Sequence, residues 1–419
     1  MLLDVLYLVA FVALLPWVAW RKLSGGRPVA APWTRFTGAV TVPPQPAGAA
    51  RIWLHGVSVG EVQLLSALAA EICRQAEAAG RTVDCVLSSS TTTGLEVAAK
   101  RVGAARSFPC PLDFTWAVDR ALDRVRPDLL VLGELELWPN LLARVRRRGI
   151  PIVVANARMS ERSAAGYARI RPLVRRMLGR VGLVVARSQA DADRFAALGA
   201  PEVVVTGSMK FDGVRGDRDT AEIEPPQPQA PEERLAAEAF VALRALHPAL
   251  RLVIVPRHVE RAAEIGATLD GLGLRWQPRS QIEQAAADPA VRVLLVDATG
   301  ELAWWWGTAT IAFVGGSLDG KRGGQNMLEP AAYGAAVSFG PHTRNFQDEV
   351  ARLLAVQAAV VVADGRELHA FVARCLQQPA WAAALGRRAA TFVAAQRGAT
   401  ATTARLILDR LAAAAAGRA

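Results

Sequence analysis

Lysine is nearly absent from this chain: it occurs only at Lys22, Lys100, Lys210 and Lys321. The formal net charge of +11 is therefore carried by arginine. Such a bias tracks codon usage, so arginine alone points to no partner, whereas lysines in turn-like or glycine-rich settings, Lys210 and Lys321, are more informative. A positive balance favours anionic partners, phosphates or an acidic membrane surface. No zinc-finger or RNA-binding signature accompanies it, which argues against nucleic acid. Cysteine is also sparse. Cys73, Cys85, Cys110 and Cys375 are widely spaced, a pattern that offers neither metal-ligand spacing nor a disulfide framework and suits a reducing compartment.

What the chain has is apolar material, 52% of 419 residues, enough for two cores. Leu2 to Trp20 is apolar except for Asp4 and is followed at once by Arg21-Lys22. It is just long enough to span a bilayer. A basic start and a small-residue cleavage site are lacking, so it does not read as a signal peptide. Trp17 and Trp20 beside the basic pair resemble an interfacial belt, and the positive flank places the following domain in the cytoplasm. The competing reading is a hydrophobic first helix packed on the body.

Short apolar runs then alternate with helical patterns. Strands are predicted at Arg51–His55, Val83–Leu87, Leu129–Leu132, Ile152–Val154, Leu183–Val185 and Val203–Val205, with a helix over Val62–Ile72. After a proline-rich stretch, a helix from Glu232 and strands at Leu252–Val255, Val293–Val296, Ile311–Val314 and Ala335–Phe339 form a second α/β unit. The expected organisation is a membrane anchor at 1–22, a Rossmann-like domain at 36–211, a linker at 212–231, a second such domain at 232–395 and a C-terminal helix at 396–419. Two doubly wound domains facing a cleft, with ligands at the carboxyl ends of the strands, is an architecture suited to sugar transfer.

The motifs lie at strand ends. In Gly315-Gly316-Ser317 and Gly323-Gly324, glycine pairs allow close backbone approach to a ligand, and Asn326 and Glu329 open a following helix. That grouping points to a nucleotide-sugar site. In His55–Glu61, Glu61 falls in a first helical turn, where the helix dipole favours an acid regardless of function. The functional alternative makes it a general base for an acceptor hydroxyl. Ser88–Gly94 is a hydroxyl-rich turn that caps a helix or binds phosphate. Glu134 and Glu136, beside Trp138-Pro139, read as cleft-lining carboxylates. Asn156–Ser163, with Arg158, suits a phosphorylated ligand. Lys210 closes the first domain, and Arg257-His258 ends a strand of the second.

Taken in order, these motifs resemble the 3-deoxy-D-manno-octulosonic acid (Kdo) transferases of lipopolysaccharide assembly. The resemblance rests on the anchor, His55–Glu61, the Ser/Thr turn, ELELWPN at 134–140, NARMSERS at 156–163, Lys210-Phe211-Asp212, Pro256-Arg257-His258, Thr299–Leu302 and the glycine block ending GPHTRNF. It implies a GT-B glycosyltransferase on the cytoplasmic face of the inner membrane, single-pass. Such an enzyme moves Kdo from CMP-Kdo to a lipid A precursor, lipid IVA, with inversion and with neither metal nor cofactor. It further implies Glu61 as general base, with Ser58, Glu134, Glu136, Asn156, Arg158 and Lys210 on the acceptor side or in the cleft. Arg257, His258, Gly315, Gly316, Ser317, Asn326 and Glu329 would hold CMP-Kdo. Two departures stand out. Gln325 replaces a usual histidine, and the linker passes almost directly to Pro231-Glu232-Glu233, where relatives place a strand ending in a Ser-Thr-His turn. The alternatives are another inverting GT-B transferase with a different acid sugar nucleotide, or a non-catalytic lipid- or nucleotide-binding relative.

Overall fold

The computed structural model describes residues 3–9, 31–213, 232–256, 258–282, 288–298 and 302–417. The chain divides into two compact units, Met1–Gly213 with Arg397–Ala419, and Val214–Gln396.

The first unit is built on seven strands: β1 (Ala50–Gly56), β2 (Val83–Ser89), β3 (Ser107–Pro109), β4 (Leu129–Gly133), β5 (Ile152–Ala157), β6 (Leu183–Ala186) and β7 (Val203–Val205). They lie in the order β3-β2-β1-β4-β5-β6-β7, every pair parallel. Continuous apolar runs such as Leu129–Leu132 form strands because helices cover both sheet faces, so no residue needs to face water. Successive side chains then divide between two cores. Trp53, Leu130 and Leu132 pack with Phe108, Leu122 and Leu142 on one face. Ile52, Leu54 and Val131 pack with Leu65 and Ile72 on the other. The helix over Val59–Ala78 is longer than Val62–Ile72, extended by caps that apolar periodicity does not register. Strand order reverses between β1 and β4, and there the carboxyl ends diverge into a crevice.

The last helix, Ala399–Ala416, returns to this unit. Ile407 and Leu411 join the second core, and Gln75 donates to the Ala401 carbonyl at 2.9 Å. The Asp212 carboxylate accepts from the N–H groups of Gly398 and Thr400 at 2.6 and 2.5 Å, capping that helix from outside.

Residues 3–9 are helical. Asp4, the one acid of the apolar run, is buried. It accepts from the Thr115 N–H and hydroxyl, both at 2.7 Å, and from the Asn140 amide at 3.2 Å. Tyr7 donates to Asp113 at 3.2 Å. Among the described residues no helix is long and apolar enough to cross a membrane. Most of the anchor expected at 1–22 lies outside the described residues.

The second unit has α/β character but a divided sheet. Strands β8 (Leu252–Ile254), β9 (Trp276–Pro278) and β10 (Val293–Leu295) form one parallel sheet in the order β8-β10-β9. Strands β11 (Ile311–Val314), β12 (Ala336–Phe339) and β13 (Ala359–Val361) form another in that order. Strands β3 and β9 escaped prediction because each mixes polar with apolar residues and ends in proline, so neither shows a continuous apolar run; β13 lies in the apolar run Ala358–Ala363 and was not singled out.

Candidate functional site

In the first unit, chemistry gathers at the crevice between β1 and β4. Strand β1 ends at Gly56, and Ser58 then caps the next helix reciprocally with Glu61. The Glu61 N–H donates to Ser58 Oγ at 3.2 Å, and the Ser58 hydroxyl donates to Glu61 Oε1 at 2.8 Å. Glu61 Oε2 also accepts the Val57 N–H at 3.0 Å. The structural role foreseen for an acid in a first turn is therefore present. It also fixes the carboxylate in one rotamer, with Ser58 exposed beside it.

Two glycines flank the Glu61 side chain. A Cβ on Gly56 would come within 3.1 Å of Glu61 Cβ, and one on Gly133 within 3.5 Å of Glu61 Oε2 and 3.3 Å of the His55 carbonyl. The turn is anchored from β2: Thr91 donates to the Val57 carbonyl at 2.8 Å while capping its own helix through the Gly94 N–H at 3.1 Å. The hydroxyl turn thus serves as a cap and as a brace for the Glu61 loop. His55 is fully buried against Ser88, and burial pushes it down to about 4, so it is neutral near pH 7.

Glu134 follows β4 with a left-handed backbone (φ 48°), an unfavourable conformation for a residue with a Cβ. Burial, and then the Glu61 charge, raise its carboxyl, while Lys210, Arg187 and Arg158 pull it back. Glu136 is pushed up to about 7 by burial and by the Glu61 charge, against the Trp138 indole N–H, which donates to it at 3.1 Å. Three carboxylates and three cations therefore share one electrostatic neighbourhood. Asn156, one residue before the end of β5, lies in a register shift and is also left-handed (φ 53°). Its Oδ1 accepts the Met209 N–H at 3.1 Å, fixing the turn that carries Lys210, and its buried Nδ2 has no hydrogen-bond partner. Arg187 was not singled out from sequence. It is buried at the end of β6, and the available signal was an arginine directly after a strand at the same sheet edge.

In the second unit the glycine block forms a closed loop. The Gly324 N–H donates to Gly316 O at 2.8 Å and Gln325 N–H to Gly315 O at 3.2 Å. Ser317 Oγ donates to Val314 O at 2.7 Å and accepts Gly340 N–H at 2.8 Å. The N–H groups offered by the turn are already engaged. The Glu232 carboxylate accepts from Ser317 at 3.0 Å, from Leu318 at 2.8 Å and from Gly316. Sequence reasoning offered these donors to a ligand; the structure gives them to a helix N-terminus of the same unit. Glu329 opens the helix Leu328–Ala332 and accepts from Asn326 Nδ2 at 2.9 Å, and burial pushes it up to about 7 against that amide. His258 is exposed beside Glu260, while Arg257 and Thr299–Glu301 lie outside the described residues. Among the described residues no group of three or more His, Cys, Asp or Glu side chains is placed to hold a metal ion.

A family model described as 3-deoxy-D-manno-octulosonic-acid transferase (kdotransferase) matches residues 33–213. The chain is 32% identical to the 3-deoxy-D-manno-octulosonic acid transferase of Bordetella pertussis, over 92% of this chain and 93% of that one. It is 33% identical to the same-named protein of Haemophilus influenzae, over 78% of each. Among solved structures it is similar to Acinetobacter baumannii MurG, at 15% identity and a TM-score of 0.51, over 86% of this chain and 99% of that one. That likeness shows the fold alone, of the GT-B class.

Proposed function

The chain belongs to the 3-deoxy-D-manno-octulosonic acid transferase family and is a glycosyltransferase; from that premise we propose that it transfers Kdo from CMP-Kdo to lipid IVA, with inversion, using Glu61 as general base. The observation that carries the reading is the Glu61 carboxylate, held between Gly56 and Gly133 with the exposed Ser58 hydroxyl on Oε1. An acceptor hydroxyl that displaces Ser58 from Oε1 gives its proton to Glu61. Its oxygen forms the new bond to the anomeric carbon, and CMP leaves with the electron pair of the broken bond. Lys210, Arg158 and Arg187 offset the charge of an anionic acceptor.

Location at the inner membrane through residues 1–22, with both units cytoplasmic, is part of the same proposal. It is supported by the apolar run ahead of Arg21-Lys22. A different acid sugar nucleotide is the second reading, favoured by Glu232 on the N–H groups of the glycine turn. Incubating the purified full chain with CMP-Kdo and lipid IVA and weighing the product tests both. A lipid heavier by one or more Kdo residues is expected. Folded protein that adds none, but accepts another CMP-linked acid sugar, replaces the first reading with the second.

A further inference from the structure

The two half-sheets of the second unit end on β8 and β11, and among the described residues neither has a strand on its outer side. One cavity of about 950 Å³ touches every residue of both strands, Leu252–Ile254 and Ile311–Val314. Its remaining walls include Ala236 and Phe240 from the helix Glu232–Leu243, and Leu368 and Val372 from the helix Gly365–Gln377. It is thus bounded along two sides by strand edges and roofed by apolar side chains.

We propose that this cavity is the seat of a β-strand: an extended apolar peptide segment, supplied by another polypeptide, that runs parallel to β8 and β11 and joins the half-sheets into one. Strand edges decide the class of occupant. Each edge presents main-chain N–H and C=O groups that require partners once water is excluded, and an acyl chain or other apolar small molecule supplies none. Only an extended backbone offers donors and acceptors on both sides at strand spacing. All ladders in the unit are parallel, which sets the direction. The apolar walls require a continuous apolar run, as in a central parallel strand.

The segment that precedes the helix at Glu232 is an unsuitable occupant. It reads EIEPPQPQAP and carries Pro225, Pro226, Pro228 and Pro231. Proline cannot donate to a ladder and is excluded from central strands. The cavity also touches Glu232, Gly315, Gln325 and Asn326, so a seated strand would brace the glycine block. None of this depends on which sugar is transferred, and the test does not measure transfer.

The probe is a short blocked peptide of valine and isoleucine between terminal lysines, titrated into the full chain by calorimetry, with amide hydrogen exchange read in parallel. Saturable binding is expected, with slowed exchange confined to β8 and β11. A peptide with proline at its centre should bind at least about tenfold more weakly, the loss expected for about 1.4 kcal/mol. Val253, which is 38% exposed and lines the cavity, provides the variant. Val253→Lys should abolish binding with an unchanged circular dichroism spectrum. Equal binding of the proline peptide, no binding of the valine peptide, or uptake of sodium laurate that excludes the peptide without protecting amides would each overturn the proposal.

Discussion

The Glu232 carboxylate lies 3.0 Å from the Ser317 N–H, across a sequence separation of 85 residues, and the same carboxylate accepts from Gly316 and Leu318. One side chain at the start of a helix thus satisfies three successive donors of a glycine turn whose own backbone cannot reach them.

Removing that carboxylate leaves those donors without partners in a buried loop. Glu232→Ala should destabilise the second unit by about 3 kcal/mol, the scale of losing charge-assisted bonds. Glu232→Gln keeps one acceptor oxygen and should lose about half as much. Urea melts of the full chain, with amide exchange at Gly316–Leu318, read the effect. Unchanged exchange in the alanine variant would show that the turn holds itself.

Glu61 has a capping role and a proposed role as general base, and one substitution separates them. Glutamine keeps one acceptor oxygen, enough for the Ser58 donors on Oε1 but not also for the Val57 N–H on Oε2, so Glu61→Gln should keep the capping box and lose about 1 kcal/mol of stability. It cannot take a proton, so transfer should fall by about 10²-fold or more. Product formation measured beside a thermal melt distinguishes the cases. A variant with native melting and native rate leaves Glu61 as a cap only.

Much of this was legible from residue types and spacing. The unbroken apolar runs Leu129–Leu132 and Ile152–Val154 declared a parallel sheet because only strands buried on both faces omit polar positions. Long-range partnerships were not legible. Nothing near Glu232 announces three donors more than eighty residues away, and Asp212, which belongs to a motif at the end of the first domain, turned out to cap the last helix. Asp4 looked like an impurity in an apolar run until its partners were seen. Such contacts are fixed by tertiary geometry, which local periodicity does not encode.

Asp4 acts as a cap supplied from outside its own helix. Asp4→Ala removes the acceptor of the Thr115 N–H and hydroxyl and of the Asn140 amide, and should cost about 1 kcal/mol, as loss of an N-cap does. In detergent-solubilised protein, exchange at the Thr115 amide should accelerate and proteolysis after Tyr7 should increase. Asp4→Asn, which retains an acceptor oxygen, should recover part of the protection. Identical exchange in all three proteins would mean that residues 3–9 are held by their apolar contacts alone.

The second unit should lose stability as pH rises through the weakly acidic range, and Glu329 is the reason. Burial pushes its carboxyl from 4.5 up to about 7 in the folded chain, with the Asn326 amide opposing. The folded state therefore holds this proton more tightly than the unfolded state does. The contribution is fully favourable below about 4.5, declines as pH climbs to about 7, and is lost above that. Glu329→Gln carries no proton to lose and still offers an oxygen to Asn326. Its melting should be flatter across that window and higher than native at pH 8, by at most about 3 kcal/mol, because a shift of one pKa unit is worth about 1.4 kcal/mol and the residue keeps some exposure. Glu136, also pushed up to about 7, contributes a slope of the same sign in the first unit, so the comparison is made on exchange of amides at Leu328–Ala332 and not on the global melt. A native-like pH slope at those amides in the glutamine variant would assign the proton to another group.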